Sequence, residues 1–350
     1  MPAVLPGSKV LVTGANGFVA NWLVRTLLQE GFAVRGTVRT ASKGEYLKHM
    51  FKSHGNKLEL VVIPDIEKDG AFDDAVQGVD AIEHMASPYH WNADDPDDII
   101  QPAVKGTIGI LQSALKRGTD VKRIVITTST AAVVRSTDKP IIFAESDWND
   151  EAIAIVKEQG RNASNLLDVN YLSLPVAAAA FEFYETHKSS VNWDLVTIAP
   201  PYIFGPIINE VSSPSSSNAS MVEWHAAVLG SAKDATALTT QGNTWSDVRD
   251  VAKAHVRAIQ RAEAVGRIIV STGPFKWQDW LNAARSLSPA PYPAFAISPG
   301  APSYDASSAV HLLDFDTSKA ERVLGIPKEE LISMEQSTRD MLEDFKWRGW

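Results

Sequence analysis

The stretch Lys9-Val-Leu-Val-Thr-Gly-Ala-Asn-Gly-Phe-Val-Ala20 decides the fold of this chain. An apolar strand runs into a turn that contains Gly14 and Gly17, and a helical sequence follows at once from Asn21. Glycines let a backbone turn sharply and approach a phosphate, and the start of a helix offers free N–H groups and the positive end of its dipole. This order predicts a site for a nucleotide pyrophosphate; a tight turn that serves packing only is the alternative. The residues expected around the pyrophosphate are Thr13, Gly14, Asn16, Gly17, Phe18 and Val19.

The end of the second predicted strand, at Arg39, indicates which nucleotide is bound. An acidic residue at this point accepts hydrogen bonds from the adenosine ribose when that ribose carries no 2′-phosphate. This chain instead has Arg39, followed by Thr40, Ser42 and Lys43. Two cations and two hydroxyls suit a phosphate group, so the sequence predicts NADP(H) with Arg39 and Lys43 as ligands. A solvated basic loop is the alternative.

The composition places the chain among large folded proteins. With 350 residues, 45% of them hydrophobic, it can bury a large core. A net charge of −9 argues against nucleic acid as a partner, because a phosphate backbone requires a basic face. No apolar run is long enough to span a bilayer, and the first strand already begins at Lys9, where a signal peptide would lie. The chain has no cysteine, which excludes disulfides and thiolate chemistry, and we expect a cytoplasmic protein.

Strands and helices alternate through the first two thirds of the chain. Strands are predicted at 58–63, 79–85, 123–128 and 193–198, and helices at 102–116 and 176–187. This rhythm predicts an α/β fold: a Rossmann-type, doubly wound parallel sheet with a smaller C-terminal substrate-binding domain. The NADP(H)-binding domain is expected to comprise 1–205 and about 245–272, and the substrate-binding domain about 206–244 and 273–350. Asp65 and Ile66, directly after a strand, are placed to meet the adenine.

Motifs along nearly the whole chain resemble those of the extended short-chain dehydrogenase/reductases, in particular the fungal NADPH-dependent ketone and aldehyde reductases and the plant dihydroflavonol reductases. Besides the glycine turn and Val38-Arg39, the motifs are Ala86-Ser87-Pro88, Val104-Lys105-Gly106-Thr107, Thr127-Thr128-Ser129, Pro200–Pro206, Asp247–His255 and Asp316–Lys319. The resemblance implies that the nicotinamide end of the coenzyme lies against Pro200–Ile203. It adds Ala86, Ser87, Pro88, Lys105, Thr127, Pro200, Tyr202 and Ile203 to the expected coenzyme-binding residues.

The same resemblance implies the residues that carry the chemistry. When a hydride reaches a carbonyl carbon, the developing alkoxide must gain a proton, and a tyrosine can donate it if nearby positive charge lowers its pKa from about 10. In the family a serine polarises the carbonyl, a tyrosine is the acid, and a lysine four residues later lowers the pKa of that tyrosine. Ser129 and Tyr171 match the first two positions. For Ser129, a turn-capping hydroxyl is the alternative.

The lysine is absent from this chain. Pro175 stands four residues after Tyr171, and an ungapped alignment from the Phe181-Glu-Phe183 landmark would instead put Val169 and Ser173 at the tyrosine and lysine positions. Neither alignment supplies a lysine. Because proline lacks an N–H and fits best in the first turn of a helix, we expect a helix to begin near residue 174, with Ser173 as its N-cap and Tyr171 before it.

Two functions follow from these features. The first is the NADPH-dependent reduction of ketones or aldehydes to alcohols, with Ser129 as carbonyl polariser and Tyr171 as proton donor. The alternative is an NADP(H)-binding protein of the same fold with weak or no catalysis, because Pro175 replaces the lysine. A nucleotide-sugar epimerase or dehydratase is less favoured, since Lys233 is the single cation between residues 205 and 245 that could hold a diphosphate.

The substrate site is the least specified part of the sequence. Tyr202, Met221 and Trp224 are expected to line an apolar pocket for a small carbonyl compound, although a buried tryptophan more often belongs to a core. No metal site is predicted, because His225 and His255 lack partners at metal-ligand spacing and are expected to be structural. His84 ends a strand, where a packed or hydrogen-bonded role is expected. We expect a monomer or homodimer without nucleic-acid or membrane partners.

Overall fold

The computed structural model describes residues 4–87, 97–159, 170–293 and 296–350. The strands in these ranges are β1 (Lys9–Val12), β2 (Ala33–Val38), β3 (Leu58–Val62), β4 (Ala81–His84), β5 (Arg123–Thr127), β6 (Ile141–Phe143), β7 (Asp194–Ala199), β8 (Tyr202–Phe204), β9 (Gly242–Asp247), β10 (Gly266–Ile269), β11 (Gly273–Lys276) and β12 (Leu313–Phe315). The helices are α1 (Phe18–Gln29), α2 (Ala41–Met50), α3 (Asp97–Arg117), α4 (Asp150–Gln159), α5 (Asn170–His187), α6 (Ala219–Val228), α7 (Ala235–Thr240), α8 (Val248–Gln260), α9 (Trp277–Ser286), α10 (Ser318–Leu324) and α11 (Met334–Arg348).

Seven of these strands form the central sheet, in the order β10-β7-β5-β4-β1-β2-β3. Every neighbouring pair in it is parallel, and the strand order reverses between β1 and β4. The predicted fold class, a Rossmann-type doubly wound sheet, is therefore confirmed. In such a sheet ligands bind at the carboxyl ends of the strands, beside the point where the order reverses.

Helices cover both faces of the sheet. One apolar cluster joins the β1 residues Val10 and Val12 to α1 and α8, and a second joins Leu11 of the same strand to α3 and α5. This alternation follows from the strand period of two, which sends successive side chains to opposite faces. Both faces are buried, so the strands read as continuous apolar runs in the sequence.

A buried ion pair closes one end of the sheet. Arg123 on β5 contacts both carboxylate oxygens of Asp194 on β7, at 2.6 and 2.7 Å. The same guanidinium donates to the carbonyls of Ala258 and Arg261 at the end of α8, at 2.6 and 2.5 Å. Arg123 thus pairs with a carboxylate and satisfies carbonyls that the last turn of a helix leaves without partners.

The start of α5 differs from the sequence prediction. The helix begins at Asn170 rather than near residue 174, so Ser173 lies inside it and is not its N-cap, and Tyr171 lies in its first turn. Pro175 is tolerated inside the helix, where a proline costs about 3 kcal/mol. Leu174 and Val176 on either side of it are buried. Each such burial contributes about 1.5–3 kcal/mol, which offsets the proline.

The start of α3 also precedes the prediction. The helix was expected to begin at Pro102, but it begins at Asp97. Ile100 in the added turn is 7% exposed, so this segment contributes to the core. Burial of an apolar side chain thus extends α3 beyond the start that the local sequence predicts.

A second region packs beside the carboxyl edge of the sheet. It contains the three-stranded sheet β11-β9-β8, in which β8 and β9 are parallel and β9 and β11 antiparallel. The segment that follows β8 is held from three sides: Trp22 Nε1 donates to Pro206 O at 2.8 Å, Tyr46 Oη to Ile208 O at 3.1 Å, and Ile207 N to Asp344 at 3.1 Å. The division into two domains stays a prediction.

Candidate active site

The predicted site residues gather at one edge of the central sheet. Because the strands are parallel, the segments that follow β1, β4, β5 and β7 emerge side by side. Backbone hydrogen bonds continue past the strand ends: Thr13 N donates to Glu83 O at 3.0 Å, and Thr128 N to Ile198 O at 2.8 Å. The order of strands thus brings together residues that are more than a hundred positions apart in the sequence.

Thr13 joins two of these segments. Its Oγ1 accepts from the backbone N–H groups of Met85 and Ala86, at 3.0 and 2.9 Å, and lies 3.0 Å from His84 Nδ1. Burial lowers the pKa of His84 to about 4, so the imidazole is neutral and its Nδ1 can accept the hydroxyl proton of Thr13. The hydroxyl of Thr13 therefore ties β1 to β4; its predicted contact with the coenzyme stays a prediction.

The glycine turn has the shape that a pyrophosphate requires. Gly14 has φ +63°, and a Cβ there would lie 3.2 Å from the Cα of Ala86. Gly17 precedes α1, whose first turn contains no acidic side chain. The first N–H groups of a helix have no partner within the helix, so this end can accept a negative charge. Asn16, Phe18 and Val19 belong to the same turn and first helical turn.

The end of β2 presents the cations that the sequence predicted for a 2′-phosphate. Arg39 and Lys43 are exposed, and neither forms an ion pair with any residue that the structure describes. Thr40 between them precedes α2, and its Oγ1 lies 3.0 Å from Ser42 Oγ. The residues present at this corner therefore fit the phosphate that distinguishes NADP(H) from NAD(H).

The remaining coenzyme candidates lie around the same edge. Asp65 Oδ1 accepts from Glu67 N at 2.9 Å in the turn after β3. Ile66 packs against α3, where a Cβ on Gly106 would lie 2.9 Å from its Cδ1. Lys105 is exposed on that helix. Ala86 and Ser87 follow β4, Pro200 follows β7, and Ile203 lies in β8. Pro88 lies outside the described residues.

Ser129 begins the short turn that follows β5. Its Oγ accepts from Ala131 N at 3.1 Å, so Ser129 caps this turn, while its catalytic role stays a prediction. Accepting this bond leaves its O–H free to donate, so the cap does not prevent the hydroxyl from polarising a carbonyl. Thr130 N donates to Pro200 O at 3.1 Å, and α5 packs against the same turn. The serine is therefore held between the segment expected to meet the nicotinamide and the helix that carries Tyr171.

Tyr171 and Pro175 lie one helical turn apart in α5. The side chain of Tyr171 lies outside the described residues. Positions i and i+4 of a helix share a face, so a lysine at position 175 would stand beside the tyrosine, and this chain has a half-buried proline there. Lys188 lies beyond the far end of α5 and pairs with Glu185 at 2.5 Å.

A buried polar chain behind β5 was not predicted. His255 on α8 contacts Glu83 on β4, with Nδ1 to Oε2 at 2.7 Å, and Thr127 on β5, with Nε2 to Oγ1 at 3.2 Å. Glu83 and His255 have no exposed surface. His255 was expected to be structural; the signal in the sequence was the glutamate inside the apolar strand Val79-Asp-Ala-Ile-Glu-His-Met85.

The residues expected to line the substrate pocket fall into two groups. Tyr202 is half-buried beside Phe275 and Trp277, with ring centroids 6.3 and 6.5 Å apart. Met221 and Trp224 on α6 are 1% and 0% exposed and belong to the largest apolar cluster. Both therefore pack behind the surface, and their role in the pocket stays a prediction.

Known proteins match this chain over most of its length. The model of the NAD dependent epimerase/dehydratase family matches residues 10–152. The chain is 36% identical to the ketoreductase azaE of Aspergillus niger, over 92% of this chain and 94% of that protein. It is 33% identical to the NADPH-dependent methylglyoxal reductase GRE2 of Saccharomyces cerevisiae, over 97% and 99% of the two chains.

A solved structure agrees with these relatives. The crystal structure of yeast methylglyoxal/isovaleraldehyde reductase Gre2 complexed with NADPH matches with a TM-score of 0.83 and 31% sequence identity. The match covers 97% of this chain and 99% of that chain. The similarity therefore extends over both the central sheet and the region beside it.

Proposed function

This chain belongs to the extended short-chain dehydrogenase/reductases, and on that premise we propose that it reduces ketones or aldehydes to alcohols, with Ser129 and Tyr171 as the reacting side chains. It is an NADP(H)-dependent oxidoreductase. We expect its substrate to be a small carbonyl compound, a ketone or an aldehyde.

The position of Ser129 carries this proposal. Its hydroxyl lies at the carboxyl end of β5, next to Pro200, and retains a proton to donate. A hydroxyl that donates to a carbonyl oxygen makes the carbon more electrophilic and stabilises the negative charge that develops on that oxygen. At the same edge of the sheet, the glycine turn fits the pyrophosphate of NADP(H), and Arg39 fits its 2′-phosphate.

NADPH supplies the hydride when it is bound. The turn at Gly14 and the start of α1 hold its pyrophosphate, and Arg39 and Lys43 hold its 2′-phosphate. Ser129 orients the carbonyl oxygen, and the Tyr171 hydroxyl delivers the proton that the developing alkoxide requires. Pro175 offers no charge to lower the pKa of Tyr171, so we expect this proton delivery to be slow.

The second candidate is an NADP(H)-binding protein with weak or no catalysis. The observation that favours it is the proline inside α5, at the position where the family carries its lysine. A positioned general acid contributes about 10²–10⁴-fold to a rate, so its impairment would reduce turnover by about that factor. Coenzyme binding depends on other residues and would persist.

One experiment separates the two candidates. NADPH binding is measured by calorimetry, and NADPH consumption is measured separately with a panel of aryl ketones and aldehydes, for the wild type and for Tyr171→Phe. The reductase requires turnover that Tyr171→Phe reduces by about 10²-fold or more. Tight binding without turnover in either protein would select the silent binding protein.

A further inference from the structure

Three side chains from three elements form a buried chain that ends at the coenzyme edge. Glu83 on β4 contacts His255 on α8 at 2.7 Å, and His255 contacts Thr127 at the end of β5 at 3.2 Å. Glu83 and His255 are fully buried, whereas Thr127 is half-buried and is the last residue of β5, at the carboxyl edge of the sheet. None of these contacts has a role in the proposed reaction, although Thr127 is itself a predicted coenzyme-binding residue.

The chain is not a closed structural pair. Glu83 Oε1 is buried and has no hydrogen-bond partner among the described residues. A buried carboxylate that is only partly satisfied is unfavourable, so packing alone gives no reason for a glutamate within this apolar strand. The neighbouring pair of Arg123 and Asp194, in contrast, satisfies both carboxylate oxygens.

Burial favours a pair without net charge. Desolvation raises the pKa of Glu83, and the nearby His255 and Arg123 oppose this rise. Arg123 is already paired with Asp194. Helix α1, which packs on α8, contributes the buried Asn21, which is uncharged. Glu83 and His255, 2.7 Å apart and fully buried, are therefore expected to share one hydrogen between the carboxylate and Nδ1, which leaves the pair without net charge.

The shared proton determines the direction of the next hydrogen bond. Whether it resides on Glu83 or on His255 Nδ1, the imidazole carries a second hydrogen on Nε2, which donates to Thr127 Oγ1. The O–H of Thr127 is then free to donate elsewhere. If the pair loses its proton, Nδ1 donates to the carboxylate, Nε2 becomes an acceptor, and Thr127 must turn its hydrogen back to the imidazole.

We propose that Glu83 and His255 are positioning residues that make the Thr127 hydroxyl a hydrogen-bond donor toward an acceptor oxygen of the coenzyme. The role rests on the proposed NADP(H) site. It predicts that NADPH affinity falls when the buried pair loses its shared proton, because Thr127 then presents lone pairs to an oxygen that needs a donor.

Fluorescence titration of the full chain with NADPH, repeated at rising pH over the range in which the protein stays folded, tests this role. The wild type should lose affinity by about 2- to 10-fold with rising pH, the worth of one hydrogen bond. Glu83→Gln has no proton to lose in this range and should not show that loss. Thr127→Val should bind about 2- to 10-fold more weakly than the wild type at pH 7 and without the pH dependence.

The matched control is Asp250→Asn. Asp250 is another buried carboxylate, on the same helix as His255, and it accepts from Ile332 N at 2.9 Å, outside the chain formed by Glu83, His255 and Thr127. This variant should keep the wild-type pH profile of NADPH affinity. A wild-type profile in Glu83→Gln, or wild-type affinity in Thr127→Val, would overturn the proposed role.

A second measurement does not depend on the coenzyme or on the stability of Glu83→Gln. ¹⁵N NMR of the histidine-labelled wild type, with His255 assigned by a His255→Asn variant, reports which ring nitrogen carries hydrogen. We expect a protonated Nε2 at pH 7, and a bare Nε2 there would overturn the proposal. Absence of NADPH binding by the wild type would instead overturn the proposed function and this role with it.

Discussion

The two halves of the candidate site are built from different materials. The coenzyme half, defined by the Gly14–Val19 turn with Arg39 and Lys43, depends on backbone N–H groups, a tight φ at one glycine and exposed cations. The proton-transfer half, defined by Ser129, Tyr171 and Pro175, depends on individual side chains. The coenzyme half keeps its expected glycines and cations, whereas the proton-transfer half lacks the lysine that the family carries.

Because of this difference, coenzyme binding can persist when proton transfer is impaired. A cradle of backbone amides is maintained by packing, because Gly14 lies against Ala86 and α1 is buried along its length. Proton delivery depends on one hydroxyl and on the charge beside it. We therefore expect a single substitution at position 175 to change the rate of proton transfer and to leave the coenzyme half intact.

The largest expected effect comes from repairing the proton-transfer half. Pro175→Lys places a cation one turn after Tyr171 and also returns an N–H to the helix. We expect kcat with an aryl ketone to rise by about 10²-fold or more while NADPH affinity changes little. Pro175→Ala is the matched control, since it restores the helical hydrogen bond without the charge.

Two outcomes would contradict this account of the proton-transfer half. An equal gain in Pro175→Ala would assign the defect to helix geometry rather than to charge. No gain in Pro175→Lys, with NADPH still bound, would reject the absent lysine as the defect.

The next effect concerns the coenzyme half. Arg39→Ser should reduce the preference for NADPH over NADH by about 10- to 100-fold, because a charge-assisted hydrogen bond to the 2′-phosphate is lost. Calorimetric dissociation constants for both coenzymes give the ratio. Lys48→Ser, on the same helix as Lys43 but paired with Glu45, should leave the ratio unchanged. An unchanged ratio in Arg39→Ser would remove this corner from the site.

A smaller effect is expected from the glycine turn. Gly14→Ala puts a Cβ at φ +63° and 3.2 Å from the backbone of Ala86, and we expect NADPH affinity to fall about tenfold as the turn shifts. Gly55→Ala is the control, with φ +55° and no atom within 4 Å of the added Cβ. Both should lower the free energy of unfolding, because alanine disfavours a positive φ, and only the first should weaken NADPH binding. Equal NADPH affinities in the two variants would contradict the proposed role of this turn in binding the pyrophosphate.

The smallest effect on either half is expected from Asp250. Burial raises its pKa to about 6, so the folded state binds a proton more tightly than the unfolded state does. Stability from this group is complete below about pH 4 and is lost as pH rises through about 6, by about 3 kcal/mol. Relative to wild type, Asp250→Asn should therefore gain unfolding free energy between pH 4 and pH 7, measured by urea denaturation, without a change in NADPH affinity. A constant difference across that range would refute the raised pKa.

Local patterns predicted much of the fold. The strand expected at 58–63 is observed at 58–62, and the strand expected at 193–198 is observed at 194–199. The glycine turn and the capping role of Ser129 were also predictable, because each depends on neighbours within a few residues. The starts of α3 and α5 were not, because apolar contacts with distant residues extend both helices beyond the starts that the local sequence predicts.

The amino-acid order by itself determined the alternation of strands and helices, the phosphate-binding turn, the cations after β2 and the absence of a lysine at position 175. These are properties of spacing and residue type along a short stretch. Only the tertiary structure decided that Glu83, Thr127 and His255 meet, because they lie 44 and 128 residues apart in sequence and the sheet order alone brings them together. Burial then removes Glu83 and His255 from water that could screen a charge, which favours a pair without net charge.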